Sequence, residues 1–315
     1  MVEREQREPF MWGYLIHLGY NMWCDREAPE LADRPYLCSK SHMRFSRGLW
    51  NTLLVKWADA GVNTVVIDLG EGIKYQTHPE LAVRGSWQGE WLREELARLR
   101  DHGIEPVPKM NFSTAHDAWL GRYGRCVATE TYYTVCHNLI SEAADLFDGP
   151  RLFHLGMDEE TAEDQKWYSH VVVRQFESWW HDLGFLVHQV ERTGARPWVW
   201  SDQVWRTPQV FYQKMPRSVL QSNWYYGDDF DGGSRAVAAY TELDKRGYDQ
   251  VPTASNWRHA DNFEKTVEHC TEHLNANRLK GFLQTVWKPT LGDYRDDLIN
   301  AVEQVAQARQ RYESR

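Results

Sequence analysis

Residues 153–160 read Phe-His-Leu-Gly-Met-Asp-Glu-Glu, an apolar strand that runs directly into carboxylates. Side chains alternate across a strand, so one face carries His154, Gly156 and Asp158, and the other carries three apolar residues. The apolar face suits a cover of helices, and the polar face suits an interior site. Glu159 can share a ligand with Asp158 only if the strand ends here and the chain turns. The segment therefore predicts the carboxyl end of a strand in an α/β fold, where such folds keep their chemistry.

The 315-residue chain is acidic, with 36 Lys and Arg against 45 Asp and Glu and a formal net charge of −9. Nucleic acids and anionic membranes bind basic patches, so neither is expected as a partner. A hydrophobic content of 42% at this length is ample for a large core. The chain also contains 16 Trp and 15 Tyr. Indole rings near a pocket are typical of carbohydrate sites, where they stack on sugar faces.

No apolar run is long enough for a transmembrane helix, and residues 1–8 lack the apolar core of a signal peptide. We therefore expect a cytoplasmic protein, or a secreted or periplasmic one if a leader has been removed. The five cysteines are odd in number and lack the spacing of a zinc motif. Free thiols are expected, with a Cys24–Cys38 pair as the alternative. The oligomeric state stays open, and a homo-oligomer is compatible with the sequence.

Strand-like and helix-like segments alternate along the whole chain. Strands are predicted at 13–21, 64–69, 105–112, 151–158, 197–202, 219–224, 250–256 and 281–287. Helices are predicted at 44–60, 89–102, 131–146, 169–193, 208–214, 234–246, 262–275 and 294–311. Gly61, Gly103, Gly194 and Gly247 each lie between a predicted helix and the next strand, as helix terminators do.

Eight β-then-α units predict an α/β fold of the (β/α)8 TIM barrel type, formed as a single catalytic domain over residues 1–315. The alternative, an open doubly wound sheet, is disfavoured because no Gly-rich phosphate loop follows the first strand. Two long irregular stretches, 24–43 and 71–88, follow the first two strands. We expect them to form loops over the mouth of an active site.

Polar and aromatic residues recur at the predicted inward positions near the carboxyl ends of the strands. A purely structural barrel would carry layers of Val, Ile and Leu there. The convergence of polar groups therefore indicates a site. The inward set comprises His17, Asn21, Asp68, Lys109, Asn111, His154, Asp158, Trp200, Asp202, Asn223 or Trp224, and Trp287, with Tyr225 and Tyr226 just beyond the sixth strand.

Several of these residues also have a purely structural interpretation. His17 is interpreted as a satisfied core group as well as a candidate ligand contact. Lys109 is best explained as half of a buried ion pair with Asp68. Trp200 and Trp287 are interpreted equally well as barrel filling.

The carboxylates of the 153–160 segment have structural interpretations as well. Glu160 is predicted to be a solvated or helix-capping acid. Asp158 and Glu159 could form the acidic start of a helix, but the inward histidine and glycine before them favour a site. Gly156 leaves space that a ligand or a neighbouring side chain could fill.

The sequence His-Leu-Gly-Met-Asp-Glu at 154–159 resembles the His-x-Gly-Gly-Asp-Glu motif of glycoside hydrolase family 20, the β-N-acetylhexosaminidases. That family has a (β/α)8 catalytic barrel with this motif at the end of the fourth strand, where it also falls here. The resemblance implies that Asp158 orients and polarises the substrate 2-acetamido group and that Glu159 is the general acid/base. It implies a retaining, exo-acting hydrolase in which the acetamido oxygen forms an oxazolinium intermediate. The implied substrate is a glycan or glycoside containing N-acetylhexosamine, with no cofactor and no metal.

Other matches to the family are looser. Trp200 and Asp202 resemble a tryptophan and an acidic residue at the end of the family's fifth strand. Tyr225 or Tyr226 resembles the tyrosine that binds the acetamido carbonyl. Trp287 resembles the last-strand tryptophan of the sugar pocket. Together with the inward residues, these matches predict the substrate-binding set His17, His116, His154, Trp200, Asp202, Trp224, Tyr225, Tyr226 and Trp287, with His116 in the place of a loop histidine.

The sequence departs from the family pattern at three places. Met157 replaces the second glycine of the motif, and no counterpart is found for the first-strand arginine that grips the sugar hydroxyls. Lys288-Pro289-Thr290 stands where the family has a glutamate two residues after the last-strand tryptophan. These departures leave the identity of the hexosamine open and are compatible with an unusual or modified one.

Three other kinds of function compete with this one. A two-carboxylate glycosidase would pair Glu159 with Asp202 or Asp68. A different barrel enzyme would be a Schiff-base aldolase using Lys109, or a metal-dependent isomerase. A non-catalytic carbohydrate-binding barrel would explain the missing sugar contacts. The metal ligands of the isomerase would be His17, Asp68, His154 and Asp158.

Overall fold

The structure is a computed structural model that describes residues 9–231 and 233–315. Its strands are β1 (Met11–His17), β2 (Thr64–Asp68), β3 (Glu105–Lys109), β4 (Leu152–His154), β5 (Arg196–Trp200), β6 (Leu220–Ser222), β7 (Thr253–Ser255) and β8 (Gly281–Thr285). Its α-helices are α1 (Arg47–Ala60), α2 (Gly89–Asp101), α3 (Glu130–Leu146), α4 (Glu177–Arg192), α5 (Gln203–Arg206), α6 (Pro208–Lys214), α7 (Arg235–Lys245), α8 (Asn262–His273) and α9 (Arg295–Glu313). Residues 1–8, which entered the prediction of a cytoplasmic location, lie outside the described residues.

The eight strands form one parallel sheet in the order β6-β5-β4-β3-β2-β1-β8-β7. Strand β1 pairs with both β2 and β8, so the first and last strands are neighbours. Single bridges at Gln221–Gln250 and Trp224–Thr253 join the β6 and β7 segments, which closes the ring. The predicted (β/α)8 barrel is confirmed, and the open doubly wound sheet is excluded.

Helix α1 shows how the sequence builds the outer layer. Its first turn is capped by the Ser46 hydroxyl, which accepts a hydrogen bond from the Leu49 N–H at 3.3 Å. Its end is set by Gly61, whose φ of 73° suits glycine. Between these points Leu49, Leu53 and Trp57 are buried, and a buried Leu contributes about 1.5–3 kcal/mol. The other three glycines predicted as terminators also adopt left-handed backbone conformations.

The interior of the barrel holds a second apolar cluster, which includes Met11, Leu15, Val66, Val107, Leu152, Trp198, Leu220, Val251 and Leu283. Polar groups replace this filling towards the carboxyl ends of the strands. There the Lys109 ammonium contacts the Asp68 carboxylate, and His17 Nδ1 lies 3.4 Å from Asp68 Oδ2. The predicted Lys109–Asp68 ion pair is therefore confirmed.

Several predicted boundaries were wrong at the site end of the barrel. The fourth strand was predicted at 151–158, but β4 ends at His154. The chain turns away because Gly156, Met157 and Glu159 have φ of 72°, 75° and 52°, which no strand accommodates. The helix predicted at 169–193 begins only at Glu177. The one-turn helix α5 was not predicted.

Two further expectations concern the membrane and the cysteines. Within residues 9–231 and 233–315, each helix is too short or too polar to cross a bilayer. The five cysteines are free, and four of them are buried. The Cys24–Cys38 alternative is therefore not formed in this structure.

Candidate active site

A large pocket of about 970 Å³ lies at the carboxyl ends of the strands and is lined by residues of the loops that follow them. Asp158 and Glu159 line it, as predicted from the motif. Six residues of the predicted substrate-binding set line it as well: His116, Trp200, Trp224, Tyr225, Tyr226 and Trp287.

The other three members of that set do not line the pocket in this structure. His17, His154 and Asp202 are each at most 2% exposed. Each supports a residue that does line it. The His17 ring lies 5.7 Å from the Trp287 ring, and the His154 ring lies 4.3 Å from the Trp200 ring. The Asp202 carboxylate accepts a hydrogen bond from the Glu159 N–H at 3.0 Å.

Asn111 is the residue that positions Asp158. Its Nδ2 donates to Asp158 Oδ1 at 2.8 Å. Its Oδ1 accepts hydrogen bonds from the N–H groups of Ser113 and Met157, at 3.0 and 3.2 Å. One amide therefore joins the loop after β3 to the turn after β4.

Gly156 is the residue that makes room for this amide. A Cβ at position 156 would lie 2.0 Å from Asn111 Oδ1, and the φ of 72° is itself unfavourable for a side chain. The space predicted at Gly156 is thus filled by a neighbouring side chain. The sequence placed Asn111 among the inward residues but did not assign it to the site. Its signal was an amide just past the end of β3, next to the strand that carries the motif.

His116 lies between the two carboxylates. Its Nε2 is 3.3 Å from Asp158 Oδ2 and 3.4 Å from Glu159 Oε2. Burial alone would lower the pKa of His116, but the charges of Asp158 and Glu159 outweigh it and raise the pKa to about 10. The imidazole is therefore protonated at neutral pH, when it bridges the pair as a cation.

The two buried aspartates near the turn titrate in opposite directions. Burial works to raise the pKa of Asp158, but the His116 charge and the Asn111 hydrogen bond lower it to about 2. Burial, followed by the charge of Asp158, raises the pKa of Asp202 to about 7. Asp158 is thus held as an anion. Glu159 lines the pocket and is more exposed than either aspartate, with 36% of its side chain exposed.

Glu160 was predicted to be a solvated or capping acid, and this was wrong. It is 7% exposed, and Arg174 donates three hydrogen bonds to it, two from the guanidinium at 2.8 and 2.6 Å and one from the backbone N–H at 2.9 Å. Arg174 also contacts Asp182 of α4 at 3.2 Å and donates to the Phe112 carbonyl at 2.7 Å. This buried network ties the turn after β4 to the loop after β3 and to α4, so it fixes the position of Glu159 next to it.

Aromatic side chains form much of the pocket wall. The rings of Trp200 and Trp287 are 5.9 Å apart, and Trp224 stacks on Tyr226 at 4.9 Å. Trp287 Nε1 donates to the Tyr226 hydroxyl at 3.1 Å. Trp23, from the loop after β1, lies 6.2 Å from Trp287 and was not predicted. The surplus of Trp and Tyr in the composition is thus concentrated partly at this pocket.

The loop after β8 departs from the family pattern in the way the sequence indicated. The Lys288 Nζ lies 3.0 Å from the hydroxyl of Tyr36, which lines the pocket. Lys288 therefore supports the pocket wall through Tyr36, and Pro289 stands two residues after Trp287, where the resemblance implied a glutamate.

The described residues bring together one group with the spacing of metal ligands, namely His116, Asp158 and Glu159, whose ligand atoms lie within 4.8 Å of one another. This is not the isomerase set predicted around His17, Asp68, His154 and Asp158, which is not assembled. The aldolase alternative also loses support, because Lys109 is fully buried, paired with Asp68 and absent from the pocket wall.

Comparisons with known proteins address the fold. No protein-family model matches the chain, and no curated protein matches it either. Among solved structures, the Flavobacterium johnsoniae chitobiase matches with a TM-score of 0.60 at 17% identity, over 86% of this chain and 48% of its own. The barrel has the fold of glycoside hydrolase family 20 structures. A mutant Streptomyces plicatus β-hexosaminidase in complex with its product GlcNAc matches with a TM-score of 0.65 at 14% identity, over 94% of this chain and 64% of its own.

Dispersin B matches over nearly its full length, with a TM-score of 0.57 at 12% identity over 96% of this chain and 98% of its own. The present chain spans about half to two thirds of the first structures that it matches. The fold expected from the motif at the end of β4 is therefore matched by barrels whose names record β-hexosaminidases.

Proposed function

We propose that this protein is a retaining glycoside hydrolase that removes a β-linked N-acetylhexosamine by substrate-assisted catalysis. The observation that carries the proposal is the Asp158–Glu159 pair. Asp158 is buried and held as an anion, while the adjacent Glu159 is partly exposed in a large aromatic pocket. Two neighbouring carboxyls with different surroundings can divide the roles of charge stabiliser and proton donor.

The first step breaks the glycosidic bond. Glu159 gives its proton to the leaving oxygen while the carbonyl oxygen of the 2-acetamido group attacks the anomeric carbon. The acetamido nitrogen becomes positively charged in the resulting oxazolinium. Asp158 accepts a hydrogen bond from that N–H and stabilises the charge, which is the role of a preorganised electrostatic partner.

The second step restores the acid. Glu159, now a carboxylate, removes a proton from water, and the water oxygen attacks the anomeric carbon. The bond between the anomeric carbon and the acetamido oxygen breaks, so the product keeps its configuration. Tyr226 is suited to hold the acetamido carbonyl, because burial raises the pKa of its hydroxyl and keeps its proton in place. Trp287 offers its ring to the apolar face of the sugar, and Trp200, which is 1% exposed, packs behind it with the two rings 5.9 Å apart.

A nucleophile from a second carboxylate is less well supported. Asp202 is 2% exposed and its Oδ2 already accepts the Glu159 N–H. Asp68 is equally buried and is bound by Lys109. Neither lines the pocket, so neither is placed to attack an anomeric carbon.

The test is hydrolysis of aryl β-N-acetylglucosaminide and β-N-acetylgalactosaminide. We expect turnover by the wild-type chain and a loss of at least about 100-fold in kcat/KM for Glu159→Gln, the range for general acid catalysis. Glu191→Gln, an exposed acid on α4, is the matched control and is expected to keep wild-type activity. A thiazoline mimic of the oxazolinium should inhibit the wild type. Full activity of Glu159→Gln would overturn the assignment of the acid.

A further inference from the structure

One side of the pocket, beyond β6 and β7, alternates indole and guanidinium side chains. Trp205 and Arg206 come from α5, Arg235 is the first residue of α7, and the remaining members follow β6 or β7. All of them line the same pocket as Asp158 and Glu159. We call these residues the cationic shelf: Trp205, Arg206, Trp224, Arg235, Trp257 and Arg258.

Four members of the cationic shelf form a run of contacts that begins beside the proposed acid. Arg206 Nη1 lies 3.4 Å from the carbonyl oxygen of Glu160, the residue that follows Glu159. The Trp205 and Trp224 rings are 4.5 Å apart, and Arg235 Nη1 lies 3.5 Å from the Trp205 carbonyl oxygen. The shelf thus extends from the acid/base along the mouth of the pocket.

The shelf carries more positive charge than its neighbours neutralise. Arg206 lies 3.8 Å from Asp164, so its charge is shared. Among the described residues, Arg235 has the carbonyl contact already given, and the Arg258 guanidinium lies 4.6 Å from the Trp257 ring centroid. Within residues 9–231 and 233–315 no carboxylate pairs with Arg235 or Arg258. This is unusual in a chain with a net charge of −9, where acids are abundant.

The acids of the β6–α7 loop and of the pocket wall do not neutralise Arg235 or Arg258. The β6–α7 loop carries Asp228, Asp229 and Asp231, but none of them lines the pocket. Asp228 lies 3.9 Å from His259 Nδ1 instead. Among the lining acids, Glu163 is paired with Lys166 at 2.5 Å. Two guanidinium groups therefore face the pocket mouth without a described carboxylate.

The size of the pocket leaves room for a ligand at the shelf. At about 970 Å³ it is at the upper end of the range for ligand sites, about 300–1,000 Å³, and exceeds what one sugar ring fills. Since Glu159 protonates the leaving oxygen, the sugar residue that carries this oxygen lies on the Glu159 side. Indole rings can stack on that residue, and guanidinium groups form paired hydrogen bonds with carboxylate or sulfate oxygens.

We propose that the cationic shelf binds an anionic group on the residue that leaves, so that the substrate is a glycan in which N-acetylhexosamine is attached to a uronate or a sulfated sugar. The proposal rests on the function proposed above. Both anions share the oxygen pattern that a guanidinium recognises, and the experiment separates them.

The experiment measures binding to Glu159→Gln by titration calorimetry, because this variant is expected to bind without turnover. Three disaccharides have N-acetylglucosamine β-linked to different partners: neutral N-acetylglucosamine, its 6-sulfate, and glucuronic acid. We expect at least one of the anionic ligands to bind about three- to tenfold more tightly than the neutral one at low salt. The preference should shrink towards 1 M salt, where the screening length is about 3 Å.

Variants in the same Glu159→Gln background assign the preference to the shelf. Arg235→Gln with Arg258→Gln should reduce the ratio of anionic to neutral affinity to about one. Arg192 is an exposed arginine at the end of α4, outside the pocket. The control variant Arg192→Gln removes one positive charge there and should leave the ratio of anionic to neutral affinity unchanged.

Equal affinities for all three disaccharides would overturn the proposal, and so would a preference that survives the double variant. A fourth disaccharide carries the sulfate on the non-reducing N-acetylglucosamine, and tighter binding of it than of the other anionic ligands would also overturn the proposal, since that sugar does not leave. Failure of the proposed function has a different signature, namely no hydrolysis of the neutral aryl glycosides by the wild-type chain. The two outcomes are read from separate measurements.

Discussion

The variant Asn111→Ala tests whether the Asp158 carboxylate is held in place by its hydrogen-bond partners. In Asn111→Ala the carboxylate loses its amide donor, and the Ser113 and Met157 N–H groups lose their acceptor. Unsatisfied buried groups cost about 1–3 kcal/mol each. We expect kcat to fall about 10- to 100-fold, with a smaller change in KM, in assays on an aryl β-N-acetylglucosaminide. Asn300→Ala, on α9, is the control, and equal kcat values for the two variants would contradict the assignment.

His116 predicts an alkaline limit that can be measured in two ways. Its pKa in the folded protein is raised to about 10, above the unfolded value of about 6.5. A raised pKa stabilises the fold fully below about 6.5, and this contribution is lost as the pH rises through about 10. Urea unfolding should therefore show a decline in stability over this window that is absent in His116→Gln.

The same proton should affect turnover by the wild-type chain. When His116 loses its charge near pH 10, Asp158 loses the cation that holds it, and kcat/KM should fall on the alkaline side. The variant His116→Gln should have lower activity, but its kcat/KM should not show this alkaline fall. An alkaline limb that is identical in wild type and variant would assign the titration to another group.

At the scale of elements, the turn after β4 depends on its anchor to α4. Arg174→Met removes the cation that pairs with Glu160 and Asp182, both nearly fully buried. Leaving buried charges unpaired costs about 3–5 kcal/mol, to be measured by urea unfolding. Adding Glu160→Gln to Arg174→Met should recover part of that loss. A double variant as unstable as the sum of the single changes would indicate that the two residues are not coupled.

Helices could be predicted from the sequence because their hydrophobic pattern is local and repeats along the segment. The predicted helix at 208–214 has the bounds of α6, and seven of the eight predicted helices lie within three residues of their observed limits. The ends of the strands were not predictable in the same way. Alternation continues past His154 in the sequence, but the left-handed backbone at Met157 and Glu159 is set by contacts with Asn111 and Asp202, which are distant in sequence.

Most of the site contacts that could not be predicted from sequence involve buried polar partners that are distant along the chain. Glu160 looks like a surface acid because its partner, Arg174, lies 14 residues later in a stretch without regular structure. Arg235 and Arg258 reach the pocket only because α7 and the loop after β7 meet at its mouth. The catalytic pair itself was found because strand, turn and carboxylates lie together in one short segment.

In the whole molecule, the polar site at the mouth of the barrel lies above buried charged groups of the barrel interior. Asp68 of β2 sits between His17 of β1 and Lys109 of β3. Burial would raise the pKa of Asp68, but Lys109 and His17 hold it below its usual value. Its contribution to stability is therefore present above about pH 3.8 and is lost as the pH falls further. The three strands are thus coupled by one buried carboxylate.

A double-mutant cycle tests whether this interior pair stabilises the barrel. Lys109→Met leaves Asp68 as an uncompensated buried charge, so urea unfolding should show a loss of about 3–5 kcal/mol at pH 7. Because Asp68 can take up a proton, the loss should be smaller at pH 4. Lys109→Met with Asp68→Leu removes both charges and should recover most of the stability, since apolar replacements of buried pairs are often neutral. If the double variant is no more stable than Lys109→Met, the pair is not the source of the coupling, and packing of the lysine stem holds β2 and β3 together instead.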